Sequence, residues 1–169
     1  MAFVTRRPEE MAGNPFSMIG DEWMLITAGD EKKCNTMTAD WGGLGVVWNK
    51  PVSFIFVRPQ RYTYQFVEAQ PGYTLSFFDA GWKKQMAYLG TASGRNEDKI
   101  AKAGLTLAFS DGLPYFEEAR LVLVCRKLYR QDLRQDCFVD TATDRASYPE
   151  RDYHRLYVGE VLRVLERQE

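Results

Sequence analysis

The sequence predicts a mainly β fold with a few short helices around it. Three observations carry that reading. Six short runs are rich in β-branched and aromatic residues, and the first four are closed by Gly, Pro, Asn or Asp signals. Helical spacing is confined to three short stretches. Two of the strand runs are apolar on both faces. The first strand run is 22–28, stopped by Gly29-Asp30, and the second is 44–48, closed by Asn49-Lys50-Pro51. Run 52–57 ends at Arg58-Pro59, and 73–78 alternates until Asp79. Run 119–129 centres on Leu121-Val122-Leu123-Val124-Cys125, and 155–165 closes the series. Among the helices, 61–69 puts Tyr62, Phe66 and Ala69 on one face and stops before Pro71-Gly72. Trp82, Met86 and Leu89 recur at helical spacing. Asn96 is read as the N-cap of a short helix ended by Gly104, with Lys99 and Lys102 near its C-terminal dipole. In 52–57, Phe54 and Phe56 oppose Ile55 and Val57, so packed helices or a partner subunit must cover the second face.

Composition narrows the function classes. The chain has 169 residues, 45% hydrophobic, and its 22 Lys+Arg against 23 Asp+Glu leave a net charge of −1. That balance offers no basic surplus for a phosphate backbone, so no nucleic-acid role is expected. No internal repeat or long linker appears, and one domain over 1–169 is the simplest reading. The single histidine, His154, excludes a multi-histidine metal centre. Cys34, Cys125 and Cys137 are dispersed and read as reduced thiols. The N-terminal arginine pair has no apolar run after it, and no stretch approaches the ~18 apolar residues of a membrane span. A soluble, cytoplasmic protein with no membrane association is expected.

Three segments concentrate chemistry. Residues 34–43 bring small hydroxyl and amide side chains together with glycines and Trp41, a composition that can bind anionic or sugar-like groups; the plainer reading is a polar turn. In Val57-Arg58-Pro59-Gln60-Arg61-Tyr62-Thr63, Pro59 holds Arg58 extended just before a helix. Two guanidiniums and the Thr63 hydroxyl then surround a helix N-terminus, which itself favours an anion; the plainer reading is two surface arginines. Residues 89–96 form a third small, polar stretch with an arginine, otherwise an ordinary loop. His154 opens the last strand and by itself reads as a surface histidine. No nucleophile elbow is present, and Glu117 and Glu118, adjacent on a strand, would point to opposite faces.

Taken in order, six phrases resemble the flavin reductase-like family of FMN-binding split-barrel flavoproteins, which includes flavoredoxins. They are Asn35-Thr36-Met37-Thr38-Ala39-Asp40-Trp41, Trp48-Asn49-Lys50-Pro51, Val57 to Thr63, Gly90-Thr91-Ala92-Ser93-Gly94-Arg95 with Asp98-Lys99, Phe116-Glu117-Glu118-Ala119, and Tyr157-Val158-Gly159-Glu160-Val161. The resemblance spans roughly residues 18–164. It implies a six-stranded antiparallel Greek-key barrel with peripheral helices, and a homodimer with FMN near the interface. It also implies that Asn35, Thr36, Met37, Thr38 and Ala39 line the flavin, with Trp41 and Trp48 walling its ring. Arg58, Arg61, Tyr62 and Thr63 would hold or neighbour the phosphate, completed by Ser93, Gly94 and Arg95. Asp40 departs from the small hydroxyl residue common there, and its carboxylate would repel a phosphate unless Arg58 or Arg61 neutralised it.

The function so implied is an NAD(P)H:flavin reductase that passes hydride from nicotinamide to flavin N5, the cofactor carrying the chemistry. His154 is then the catalytic candidate, as an orienting or proton-handling group. No metal is implied. Electrons would pass on to an acceptor protein or a monooxygenase. Two other readings stay open: a flavoredoxin-like FMN electron carrier with little nicotinamide activity, and a barrel without cofactor that acts as a binding module.

Overall fold

Leu121, Leu123 and Cys125 turn to one side of their strand and Val122 and Val124 to the other, and both sides are buried. The reason lies in how the sheet wraps. A computed structural model describes residues 2–168. Its elements are β1 (Phe3–Arg6), α1 (Pro15–Ser17), β2 (Met24–Gly29), β3 (Cys34–Ala39), β4 (Gly42–Val47), β5 (Lys50–Val57), α2 (Tyr62–Ala69), β6 (Gly72–Phe77), α3 (Lys83–Thr91), α4 (Lys99–Lys102), β7 (Leu107–Ser110), β8 (Leu113–Phe116), β9 (Leu121–Asp132), α5 (Thr141–Ser147) and β10 (Arg155–Arg167). The main sheet runs β3-β2-β6-β9-β10-β5-β4, with β1 beside the end of β10. All its pairings are antiparallel. The six strands from β3 to β5 form the expected body, β4 extends it, and no ladder joins β3 to β4 among the described residues.

Ile26, Met37, Ile55, Leu75, Leu123 and Val161, one from each of those six strands, meet in one interior cluster. Such convergence requires the sheet to curl upon itself. Tyr73 crosses this interior with its hydroxyl 2.8 Å from Ser53 Oγ, directly over Gly159. A Cβ on Gly159 would lie 2.3 Å from the Tyr73 oxygen, so only glycine leaves room for the ring. Outside, Leu25, Val122 and Val124 pack against Met86 and Leu89 of α3 and Leu113 and Phe116 of β8. The second apolar face of β9 is therefore covered by this chain's own helix and hairpin. Phe54 and Phe56 on β5 are only half-buried.

The structure corrects four local readings. Residues 34–39 form a strand, β3, not a turn: Thr36 and Thr38 alternate with Met37 and Ala39, and β-branched threonine suits a pleat. Asp98, not Asn96, caps α4, its carboxylate accepting from the Ala101 N–H at 3.1 Å. Glu117 and Glu118 lie in a turn instead of a strand, and Glu118 accepts the Thr106 N–H. Trp48 and Asn49, with φ of 54° and 56°, make a two-residue turn that joins β4 and β5 in a hairpin, the left-handed pair that strand twist favours. Among the described residues, no helix is long and apolar enough to cross a membrane.

Candidate functional site

β3 ends the sheet, so its outer edge carries backbone N–H and C=O groups that no strand satisfies. Beside that edge the chain turns through Asp40 and Trp41, β5 ends with Phe56 and Val57 and passes into Arg58, α2 begins after Arg61, and residues 152–154 arrive from the last loop. Together these enclose a cavity of about 180 Å³ lined by Met37, Thr38, Ala39, Asp40, Trp41, Phe56, Arg58, Arg61 and His154.

The two arginines occupy it differently. Arg58 is ion-paired with Asp152, donates to the Ser147 carbonyl at 3.2 Å, and lies over the Tyr148 ring at 5.1 Å. The Arg58 guanidinium holds the Asp152 carboxyl below the usual carboxylate range, assisted by a hydrogen bond from Gln60 at 2.9 Å. Arg61 is the N-cap residue of α2. Among the described residues its guanidinium forms neither a salt bridge nor a hydrogen bond, although it is half-buried. Burial, and then the Arg58 charge, push its pKa down. A partly desolvated cation without a counter-ion, next to the first-turn amides of a helix, is a site for an anion. Asp40 is exposed and forms no ion pair among the described residues, so Asp152 is the carboxylate that neutralises Arg58.

His154 is 8% exposed. Its Nδ1 lies 2.6 Å from the Tyr148 hydroxyl, its ring is 5.1 Å from Trp41, and Phe56 meets it edge-on at 6.4 Å. Burial, reinforced by Arg58 and Arg61 against the opposing pull of Asp152, lowers its pKa to about 4. The imidazole is therefore neutral near pH 7. The Tyr148 hydroxyl and Nδ1 share that hydrogen bond; in the tautomer where the hydroxyl donates, Nε2 carries the ring hydrogen and is a donor with no partner among the described residues. Such a group can orient a ligand, but it holds no exchangeable charge near neutrality.

On the other side of the start of α2, Asn35 Nδ2 donates to Thr63 Oγ1 at 2.9 Å, both buried. Gly94 packs on that amide: a Cβ there would fall 2.2 Å from Asn35 Oδ1. The Arg95 guanidinium lies over the Tyr62 ring at 4.9 Å and donates to the Gln60 carbonyl at 3.2 Å, and Ser93 Oγ accepts the Arg95 N–H. Residues 35, 62, 63 and 93–95 thus gather into one group. The threonines of β3 are less free than expected. Thr36 donates to the Ile26 carbonyl at 3.1 Å and pairs with Thr27, and Thr38 donates to the Met86 carbonyl at 2.5 Å. Those hydroxyls hold the fold, and the strand has its backbone edge left to offer. Trp48 sits at the β4–β5 hairpin tip beside Tyr129, 6.1 Å between ring centres, and does not line the cavity. Sequence reasoning missed Phe56, Tyr148 and Asp152. The triplet Asp152-Tyr153-His154 held a signal for Asp152: a carboxylate two residues before a histidine, on the same side of an extended segment.

A sequence profile of the Flavin reductase like domain matches residues 17–169. An uncharacterized protein from Archaeoglobus fulgidus is 33% identical over 155 residues, covering 83% of this chain and 69% of the relative. Among solved structures, the flavoredoxin from Methanosarcina acetivorans superposes with a TM-score of 0.67 at 21% identity, covering 87% of this chain and 69% of the other. The NADH:FAD oxidoreductase of Streptomyces globisporus C-1027 gives 0.65 at 18% identity, covering 86% and 75%. At these identities the two superpositions speak for the fold.

Proposed function

Because the chain belongs to the flavin reductase-like family, whose split-barrel fold it shares, we propose that it binds FMN and acts as an NAD(P)H-dependent flavin reductase. One observation carries the binding half: the half-buried Arg61 guanidinium, without a partner among the described residues, shares a cavity with the open edge of β3. Arg61 and the first-turn amides of α2 would hold the phosphate, with Thr63, Ser93, Gly94 and Arg95 shaping the same end. The backbone of Met37–Ala39 would meet the polar rim of the ring, and Trp41 and Phe56 would wall it. FMN, when bound, supplies a hydride acceptor, so that NAD(P)H is oxidised as the flavin is reduced. His154 then serves to orient, through Nε2, a flavin or nicotinamide held against Trp41.

One chain does not enclose this ligand. The cavity of about 180 Å³ falls below the roughly 300–1,000 Å³ of small-molecule sites. Trp41, Val46 and Trp48 stand exposed along β4 and its flanks. A second copy of the chain laid on this face would complete the wall, so the homodimer belongs to the same proposal. All three cysteines are free thiols, in keeping with a reducing cytoplasm.

Anaerobic mixing of the FMN-loaded protein with NADH or NADPH tests the reductase half. Rapid bleaching of the flavin band near roughly 450 nm is the expected result. Reduction by dithionite alone, with none by either nicotinamide, would make the protein an electron carrier. A colourless protein that takes up no added FMN would make it a binding module.

A further inference from the structure

Tyr148 closes the short helix α5 and is buried. It belongs to the excursion between β9 and β10, where an aromatic stack holds it: its ring lies 4.8 Å from that of Tyr153 and 5.9 Å from that of Phe138. Tyr153 is fixed in turn by its hydroxyl, which donates to the buried Asp144 carboxylate at 2.7 Å. From the barrel side, the Arg58 guanidinium lies over the Tyr148 ring at 5.1 Å. Packing therefore sets the ring, and its hydroxyl has one partner among the described residues, His154 Nδ1 at 2.6 Å.

Counting donors and acceptors decides which way that bond runs. Tyr148 has one O–H, and a neutral imidazole has one N–H and one bare nitrogen. If Nδ1 carried the hydrogen, it would donate to the phenol oxygen. The buried Tyr148 O–H would then have no acceptor among the described residues, at the full cost of desolvating it. If the hydroxyl donates instead, the phenol is satisfied and the ring hydrogen sits on Nε2. The short contact agrees, because O–H donors approach more closely than N–H donors. Nε2 makes no hydrogen bond among the described residues, and His154 lines the cavity with Trp41 and Phe56.

Protonating the ring would undo this arrangement, since an Nδ1–H again turns the hydroxyl away from its acceptor. The charged surroundings act in the same direction. Arg58, just after β5, and Arg61, at the start of α2, disfavour a positive imidazole, and Asp152 on its own segment favours one. Asp40 lines the same cavity from the turn after β3. Burial and the two arginines outweigh Asp152, and the ring protonates only at about 4.

We infer that Tyr148 is a positioning residue: its hydroxyl locks His154 in the tautomer that leaves an uncharged Nε2–H donor for the cavity, to be taken by a carbonyl oxygen of the flavin or of the nicotinamide carboxamide. The identity of that ligand rests on the reductase reading above; the tautomer does not. A neutral donor selects an acceptor over a cation or a second donor. It also adds no further positive charge beside Arg58 and Arg61.

His154 is the chain's one histidine, so isotope-labelled histidine reports on it alone. Proton–nitrogen NMR correlations of the ligand-free wild type and Tyr148→Phe, followed downward in pH through the ordinary imidazole value of about 6.5, show which nitrogen carries the hydrogen. The phenylalanine keeps the ring on Phe138, Tyr153 and Arg58, and circular dichroism checks folding. Expected for the wild type is one neutral species with its hydrogen on Nε2. In Tyr148→Phe the Nδ1–H form appears beside it, and protonation moves up by about 1 pH unit, the scale of one lost hydrogen bond to the neutral form. A wild-type hydrogen on Nδ1, or an unchanged tautomer and titration in Tyr148→Phe, overturns the lock. If Tyr148→Phe fails to fold, the wild-type spectrum decides alone: Nε2–H upholds the lock, and Nδ1–H or a mixture overturns it. Anaerobic mixing of the FMN-loaded proteins with NADH or NADPH tests the use of the donor, and flavin bleaching is expected to slow about tenfold in Tyr148→Phe with FMN affinity kept. An unchanged rate overturns the positioning role. Absence of bleaching in a wild type whose tautomer is locked overturns the reductase reading and leaves the lock standing.

Discussion

Arg58 and Arg61 stand three residues apart on one segment, and their surroundings are opposite. The Arg58 corner is closed: Asp152, the Ser147 carbonyl and the Tyr148 ring take up the guanidinium, and Tyr148 in turn holds His154. The Arg61 corner is open: a cap position on α2, a half-buried guanidinium, and no counter-ion for it among the described residues. In the closed corner the Arg58 guanidinium is fully engaged within the chain, although Asp152 Oδ1 is buried without a hydrogen-bond partner among the described residues. The open one carries uncompensated charge, which is the condition under which an anionic ligand gains most. Of the two arginines in that phrase, Arg58 is engaged within the chain and Arg61 is without a counter-ion among the described residues, which is why the proposal gives the phosphate to Arg61.

The comparison can be broken first at His154, where the largest effect is expected. Unfolded, the imidazole protonates at its ordinary value of 6.5; folded, at about 4. As pH falls between those values the unfolded chain gains the proton and the folded chain does not. This contribution to stability is therefore complete above about pH 6.5 and is lost progressively toward pH 4, by up to about 3 kcal/mol. Urea unfolding of wild type and His154→Gln at both ends of that window measures it, the variant lacking this part of the acid destabilisation. Identical pH dependence in the two proteins would mean that the corner is not closed around a neutral imidazole.

A smaller effect is expected from Asp152→Asn. The ion pair is about a quarter exposed on each side, so the loss falls between that of surface and buried pairs, at about 1–2 kcal/mol of stability. FMN affinity should change little, since Arg58 keeps the Ser147 carbonyl and Tyr148. A large loss of FMN affinity with intact stability would place Arg58 in the phosphate site after all.

Most of the barrel was legible because its strands announce themselves: 52–57 and 121–125 are continuous β-branched and aromatic runs, and each is paired with a neighbour on both sides in the sheet. β3 was not, because Asn35, Thr36 and Thr38 look like turn residues by composition. Their strand character comes from pairing with β2 and from hydroxyls satisfied by Ile26 and Met86. The site was legible as a set of phrases but not as a division of labour. Asp152 lies 94 residues from Arg58 in sequence, and no local pattern reveals which of two arginines a distant carboxylate will neutralise. Trp48 stands apart from the single-chain cavity for a related reason: the left-handed turn at Trp48-Asn49 carries it to a hairpin tip beside Tyr129, which no local pattern reveals.

The central claim is that Arg61 is held open for the phosphate of FMN. Its most direct test is the affinity of wild type and Arg61→Ala for FMN and for riboflavin, measured side by side. The account predicts a loss of about thirtyfold for FMN, the scale of one charge-assisted hydrogen-bonded contact, with riboflavin affinity and folding stability unchanged. Equal losses for both ligands, or none for FMN, would contradict it.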